Sequence, residues 1–146
     1  MATSESPTVR LSRLLYASSR LLIQRIQLTL NEFGLTYPQF LVLSILWEED
    51  GLKVHELGKM LNLDSGTLTP LLKKLESQNL LKRKRGEEDE RTVSIHLTYP
   101  GKSLQSKTLA AVGMFEDQIS LQVGEETQTL LPSLEVFLSK LQTEKK

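Results

Sequence analysis

Residues 65–78 combine the spacing of a helix with side chains that contact nucleic acid. Four leucines at helical spacing share one face. The remaining surface is small and hydroxylated at its N-terminal end and cationic a turn later, with Ser65, Gly66, Thr67, Thr69, Pro70, Lys73 and Lys74. Small and hydroxylated residues let a helix N-terminus enter a major groove and contact base edges, whereas lysines reach phosphates. An ordinary solvated helix face has the same composition, so this helix alone leaves both interpretations open.

A charged run follows this helix. Positions 82–85, which include Arg83 and Arg85, are all cationic, positions 87–90, which include Asp89, are all acidic, and Arg91 ends the run. Acids beside an arginine can orient its guanidinium through charge-assisted hydrogen bonds. Arg91 or Arg85, held in this way, could enter a narrow minor groove. The alternative is a solvated loop whose charges cancel. However, residues 54–61 and 65–78 are predicted to form two short helices joined by a three-residue turn, the outline of a helix-turn-helix. The position of the charged run directly after this motif favours the DNA contact.

The sequence gives little support for a disulfide, a metal site or a catalytic site. The chain has no cysteine, which excludes disulfides, thiolate metal ligands and thiol catalysis. His55 and His96 have no carboxylate at ligand spacing, which favours structural or surface histidines over a metal site. No glycine-rich phosphate loop and no nucleophile elbow is present. We therefore expect neither an enzyme nor a bound cofactor or metal.

Two periodicities predict the elements that hold the candidate residues. Helical spacing of apolar residues predicts helices over about residues 11–30, 39–48, 54–61, 65–78, 102–122 and 125–141. Alternation with period two predicts strands over residues 81–84 and 92–97. The fold class is therefore mainly α (α+β): a winged helix-turn-helix with long N- and C-terminal dimerisation helices.

Turn and cap residues set the expected boundaries. Gly34 ends the first helix as a C-cap, and Thr36 is the N-cap of the second. Val123 and Gly124 separate the last two helices. We expect Pro70 to bend its helix, and Pro132 to kink the last helix or shift its start.

Length and charge limit the class of protein. The chain has 146 residues, which fits one compact domain or one unit of a dimer. Its 18 cationic and 18 acidic residues cancel, so only a local cluster can argue for nucleic acid. Neither a bilayer-spanning apolar run nor a secretory signal is present, so we expect a cytoplasmic protein without a membrane partner.

The end helices are too long for so small a centre to cover. A homodimer is the natural solution, because a second copy can bury their apolar faces. We therefore expect residues 35–100 to form the winged helix-turn-helix DNA-binding region. Residues 1–34 and 101–146 form the helical dimerisation region of the same integrated domain.

Several motifs resemble the MarR family of winged-helix regulators. Residues 63–76 (LDSGTLTPLLKKLE) are similar to its recognition helix, and Arg83 followed by residues 87–91 (EEDER) is similar to its wing. Residues 14–20 (LLYASSR) and 35–40 (LTYPQF) resemble the branch that senses organic hydroperoxides, called OhrR. The resemblance covers roughly residues 9–142.

The resemblance implies a dimeric repressor of a pseudo-palindromic operator in double-stranded DNA. It places the recognition helix in the major groove through Ser65, Gly66, Thr67, Thr69 and Lys73. It places the wing in the minor groove through Arg91, held by Asp89. The inducer in relatives is an organic hydroperoxide.

The same branch implies a reactive cysteine near the start of the first helix, hydrogen-bonded by tyrosines from both subunits. That position is Ser12 here. Tyr16 and Tyr37 are present where the branch has pocket tyrosines, whereas a third expected tyrosine falls at Ile26. Because a serine hydroxyl is neither ionised near neutral pH nor oxidised by peroxide, this chain cannot sense through a thiol. Either the serine replaces a cysteine and mimics its reduced state, or this regulator naturally lacks thiol sensing.

Two other functions fit the same sequence. One is a MarR-type repressor that a small apolar ligand releases from DNA. The other is a winged-helix module that binds a protein, which zero net charge permits. Salt dependence separates DNA binding from protein binding, because phosphate contacts release counterions.

Overall fold

The computed structural model describes residues 6–89 and 91–143. The helices are α1 (Pro7–Leu30), α2 (Tyr37–Glu48), α3 (Val54–Leu61), α4 (Ser65–Ser77) and α5 (Tyr99–Thr143), and the strands are β1 (Leu81–Arg85) and β2 (Val93–Leu97). The two strands form one antiparallel sheet. This order of elements confirms the mainly helical winged helix-turn-helix.

α1 begins earlier than its apolar pattern, at Pro7, and ends at Leu30 as that pattern predicts. Ser6 caps it by accepting a hydrogen bond from the backbone N–H of Val9 at 3.1 Å, and Pro7 occupies the first turn. A 3-10 turn, Asn31–Phe33, follows the helix. Gly34, at φ 67°, therefore ends this turn rather than α1 itself.

α2 supplies the centre of the core. Thr36 is its N-cap as predicted, and Gln39 completes a capping box with it. Val42, Leu43 and Leu46 are buried on this helix. The nearly continuous apolar run of α2 is thus explained by contacts on most of its sides.

A tight turn joins α3 to α4. Asn62 ends α3 in the left-handed region at φ 55°, and the N–H of Leu63 donates to the Gly58 carbonyl at 2.9 Å. A Cβ on Gly58 would lie 2.9 Å from the Leu63 oxygen, so this close approach requires glycine. α4 then buries three leucines in the core, Leu68, Leu72 and Leu75.

The sheet joins the helix-turn-helix to the wing. Leu81 lies opposite Leu97, and both strands lie within a residue of their predicted bounds. Leu81 and Ile95 are fully buried. The N–H of Ile95 donates to the Leu52 carbonyl at 2.8 Å, so the α2–α3 connection runs beside β2.

The chain divides into two compact units, Met1–Leu109 and Ala110–Lys146. The first contains α1 to α4, the sheet and the start of α5. The predicted DNA-binding region, 35–100, and the predicted dimerisation regions, 1–34 and 101–146, divide the chain by function rather than by compactness. They stay a prediction.

The second unit consists of the rest of α5. Val123 leaves the helical conformation at φ −133° and ψ 27°, which confirms the predicted break there. Pro132 lies inside the helical stretch that ends at Thr143, so the interruption is not at the proline. No described helix combines the length and the apolar character needed to cross a membrane.

Candidate nucleic-acid interface

The N-terminus of α4 presents the predicted contact residues to solvent. Asp64 caps the helix, and its Oδ1 accepts a hydrogen bond from the N–H of Thr67 at 2.8 Å. Thr69 is half-buried, whereas the other predicted residues of this helix are exposed: Ser65, Gly66, Thr67, Pro70, Lys73 and Lys74. Because the leucines of α4 face the core, these residues form its outward surface.

Pro70 does not interrupt α4, which runs from Ser65 to Ser77 as one helix. Without an N–H, Pro70 cannot donate to the Gly66 carbonyl. Both residues are exposed. α4 therefore continues through Pro70 at the cost of one hydrogen bond at the surface, and the bend expected there stays a prediction.

A compact turn forms the tip of the wing. The N–H of Gly86 donates to the Thr92 carbonyl at 2.7 Å, and the N–H of Thr92 donates to the Asp89 carbonyl at 3.0 Å. A Cβ on Gly86 would lie 2.8 Å from the Asp89 oxygen. The tip therefore needs glycine at position 86, which the charge pattern alone did not indicate.

Asp89 holds Arg91 at this tip. Its Oδ1 accepts from the backbone N–H of Arg91 at 3.0 Å and from the Nε of the same residue at 3.2 Å. These hydrogen bonds hold the pKa of Asp89 below its ordinary value. The Arg91 side chain is 93% exposed. The predicted acid–arginine contact is thus present for Arg91, whereas Glu90 lies outside the described residues.

The other two wing arginines differ in their surroundings. Arg85 is exposed at the end of β1. Arg83 is half-buried, and its Nε and Nη2 each lie 3.0 Å from Oε1 of Glu76. The backbone N–H of Arg83 also donates to Oε2 of Glu76 at 3.2 Å, which chiefly lowers the pKa of this carboxyl. Arg83, predicted only as a DNA contact, therefore joins α4 to β1.

The predicted sensor residues lie on α1 and at the start of α2. Ser12 is exposed, and its hydroxyl donates to the Val9 carbonyl at 2.8 Å. Tyr16 is 65% exposed, and the guanidinium of Arg20 lies 5.4 Å from its ring centroid.

Tyr37 and Ile26 are both half-buried. Burial desolvates the phenol of Tyr37 and thereby raises the pKa of this residue. Ser12 thus bonds to its own helix, and Tyr16 contacts Arg20. Within the described part of the chain, no hydrogen bond joins Ser12 to Tyr16. A pocket with tyrosines from both subunits requires a second copy.

The described residues offer little for metal chemistry. Within residues 6–89 and 91–143, no group of three or more His, Cys, Asp or Glu side chains could hold a metal ion. His96 instead shares a 2.9 Å hydrogen bond with the hydroxyl of Ser94 on the same strand.

Comparisons with known proteins agree on one kind of regulator. A family model described as transcriptional regulator SarA/Rot matches residues 24–108. The organic hydroperoxide resistance transcriptional regulator of Bacillus subtilis (strain 168) is 45% identical over 128 residues, covering 88% of this chain and 86% of the relative. A MarR transcriptional regulator from Methanosarcina mazei Go1 matches with a TM-score of 0.75 and 25% identity, over 88% of this chain and 96% of that one. The chain belongs to the MarR family of winged-helix transcriptional regulators.

A DNA-bound structure also resembles this MarR-family regulator. Reduced AbfR bound to DNA has a TM-score of 0.79 and 37% identity, with coverage of 92% of this chain and 96% of AbfR. AbfR is a protein of Staphylococcus epidermidis. The family membership confirms the resemblance on which the fold and the regulatory function were predicted.

Proposed function

We propose that this MarR-family regulator is a dimeric repressor that binds a pseudo-palindromic operator in duplex DNA. The observation that carries the proposal is Arg91, held by Asp89 and almost fully exposed at the wing tip. Such an arginine suits a narrow minor groove, where the negative potential is enhanced. The structure of reduced AbfR bound to DNA supports a DNA partner for this chain as well.

α4 supplies the major-groove contacts in this proposal. Ser65, Gly66, Thr67 and Thr69 contact base edges, because their short side chains allow the helix N-terminus to approach the bases. The N-cap at Asp64 leaves the remaining N–H groups of this terminus available to phosphates. Lys73, Lys74, Arg83 and Arg85 add phosphate contacts, and Pro70 shapes the outer surface of the helix.

A second copy of the chain completes the DNA-binding unit. Leu14, Leu21 and Leu28 recur at a spacing of seven along α1 and are 55%, 62% and 74% exposed. The second unit also exposes apolar side chains: Leu130, Leu131, Val136, Phe137, Leu138 and Leu141. Exposed apolar stripes of this length favour burial against an identical chain. Two copies present two recognition helices about 34 Å apart, one turn of the duplex.

Organic hydroperoxides are the inducer class that the name of the Bacillus subtilis relative indicates. In this chain we propose that Ser12 keeps the regulator in the state equivalent to a reduced thiol. Its hydroxyl donates a hydrogen bond to Val9 and has no oxidisable sulfur. The DNA complex should therefore persist in the presence of peroxide.

We also propose that the protein acts by binding, without catalysis of its own. Its relatives in the comparison are named as transcriptional regulators. Because a repressor works where the chromosome is, we also propose that it acts in the cytoplasm.

The test is a salt-titrated binding assay with the DNA upstream of this protein's own gene. We expect the logarithm of the binding constant to fall linearly with the logarithm of salt concentration, by about 0.9 per phosphate contacted. An unrelated duplex should bind at least ~1,000-fold more weakly. Adding an organic hydroperoxide should change neither result. Equal affinity for both duplexes, or binding that does not respond to salt, would overturn the proposal.

A further inference from the structure

Two glutamine side chains hold the connection between α1 and α2. Nε2 of Gln27 donates to the Leu35 carbonyl at 2.8 Å, and its Oε1 accepts from the N–H of Tyr37 at 2.8 Å. Oε1 of Gln39 accepts from the N–H of Thr36 at 3.0 Å. The last two residues of the connection and the first residue of α2 are therefore fixed by side-chain amides, one from each of the two helices.

Gln39 also reaches the far end of α4. It is only 1% exposed, and its Nε2 donates to Oε1 of Gln78 at 2.9 Å. The direction of this bond is determined, because the N–H of Thr36 is a donor and must face the oxygen of Gln39. Nε2 then faces Gln78, which must present its own oxygen. A buried amide N–H without an acceptor is unfavourable, so this contact constrains both helices.

Gln78 stands at the end of α4 that carries no predicted base contact. It is the C-cap of the helix, and its N–H donates to the Lys74 carbonyl at 3.1 Å. Thirteen helical residues separate it from Asp64, a distance of roughly 20 Å. Two residues before Gln78, Glu76 bonds to Arg83 of the wing. The end of α4 is thus joined to α2 on one side and to β1 on the other.

We propose that Gln27, Gln39 and Gln78 form a polar relay that positions the recognition helix α4 from α1. The relay runs from Gln27 through residues 35–37 to Gln39 and then to Gln78. These are positioning residues, since their amides bond to the protein itself. The inference rests on the proposed DNA-binding function. Breaking the relay should misplace the base contacts while leaving the number of phosphate contacts unchanged.

Two substitutions at Gln78 separate the effect of charge on operator binding from the effect of the relay, because the two effects predict opposite orders of affinity. Gln78→Glu keeps an acceptor for Nε2 of Gln39 but adds a negative charge. Gln78→Lys removes the acceptor but adds a positive charge. Since Gln78 is exposed, neither change buries a new group and both variants should fold. Electrostatic attraction to DNA alone favours the lysine variant, whereas the relay favours the glutamate variant.

The experiment measures operator binding and amide hydrogen exchange for the full chain and both variants. We expect Gln78→Lys to bind the operator about tenfold more weakly than the parent, with an unchanged affinity for unrelated duplex. Its Thr36 amide should exchange faster, because the Gln39 side chain that accepts from it loses its bond to Gln78. The neighbouring Tyr37 amide should exchange faster as well, because the connection that both residues belong to is then held less firmly. Gln78→Glu should keep the parent's exchange and bind the operator within about twofold of it.

Each outcome decides a different claim. Unchanged exchange at Thr36 and Tyr37 in Gln78→Lys would overturn the relay, whatever the DNA result. Faster exchange with unchanged operator affinity would overturn its positioning role. A parent chain that does not distinguish operator from unrelated duplex would overturn the proposed function and the positioning role together. Exchange at the two amides would still test the relay.

Discussion

Arg91 is the side chain on which the proposed wing contact most depends. Asp89, two residues earlier in the sequence, fixes Arg91, since its carboxylate accepts from both the backbone N–H and the Nε of Arg91. An aspartate is ionised throughout the neutral range, and the hydrogen bonds from Arg91 lower the pKa of Asp89 further. The pairing therefore stays in place under the conditions in which a regulator binds DNA.

Replacing Arg91 by alanine should weaken operator binding by about 1–3 kcal/mol, because one minor-groove arginine is lost. A binding titration on the operator measures the change. Lys107→Ala is the matched control, since it removes an exposed cation of the same unit away from the wing and should have little effect. Equal affinities for Arg91→Ala and Lys107→Ala would remove the wing from the mechanism.

Ser12→Cys should make the protein release DNA when an organic hydroperoxide is added. A thiol at this position can form a sulfenic acid, which the serine cannot. The readout is operator binding before and after peroxide, with thiol oxidation followed by mass spectrometry. The parent serves as the control and should stay bound. Continued binding by a fully oxidised variant would contradict the assignment of position 12.

The residue-scale predictions succeeded where the contact is local. Arg91 and Asp89 are two residues apart, so their pairing follows from the sequence. The DNA contact of Arg83 stays a prediction, whereas its bond to Glu76 was not foreseen. That contact depends on how β1 runs past the end of α4, which no local pattern specifies.

The Glu76–Arg83 pair connects α4 to the wing and makes a pH-dependent contribution to stability. The pKa of Glu76 is lowered in the folded state, chiefly by the backbone N–H of Arg83. A depressed carboxyl pKa stabilises the fold above the unfolded value, about 4.3, and this contribution is lost as the pH falls through the folded value.

Glu76→Gln should therefore destabilise the protein by about 0.5–1 kcal/mol at pH 7, since both side chains are about one-third exposed and solvent weakens the pair. The difference from the parent should begin to shrink below the unfolded value of about 4.3 and disappear as the pH falls through the lower folded-state pKa of Glu76, where the parent's carboxyl becomes neutral. Urea unfolding at several pH values measures it. A difference that stays constant down to low pH would show that the charge of Glu76 is not involved.

Gly101 allows the first turn of α5 to pack closely against the backbone of Leu80. An added Cβ there would overlap the Leu80 carbonyl, and the indole N–H of Trp47 donates to the Gly101 carbonyl at 2.9 Å. Gly101→Ala should therefore cost about 1–3 kcal/mol of stability. Gly113→Ala, where no atom lies within 4 Å of the new Cβ, should add about 0.5–1 kcal/mol. Thermal unfolding compares them, and equal effects would contradict the close contact at Gly101.

At the scale of elements, signals carried by adjacent residues predicted the fold well. The Thr36 cap, the two short helices and the alternating strands all follow from neighbouring side chains. The start of α1 was missed, because its first turn depends on a cap at Ser6 and holds no apolar repeat. At positions 58, 86 and 101 an added Cβ would lie too close to a backbone oxygen that the fold brings near. The need for glycine there therefore follows from the three-dimensional structure and not from the local sequence.

The whole molecule is electrically neutral, so its proposed affinity for DNA rests on where the charges lie. Cations on α4 and the wing face solvent, and Asp89 binds and orients one of them. The mainly helical class was predictable from periodicity. The pairing of two copies is a proposal drawn from the exposed apolar residues of α1 and of the second unit.

The most direct test of the account is the stoichiometry and spacing of binding on the operator. Titration followed by mass measurement should give two protomers on one duplex. Inserting about five base pairs, half a helical turn, between the half-sites should abolish tight binding, because it rotates one half-site to the opposite side of the duplex. A single protomer on each duplex, or an affinity that does not respond to the insertion, would contradict a dimer with two recognition helices one turn apart.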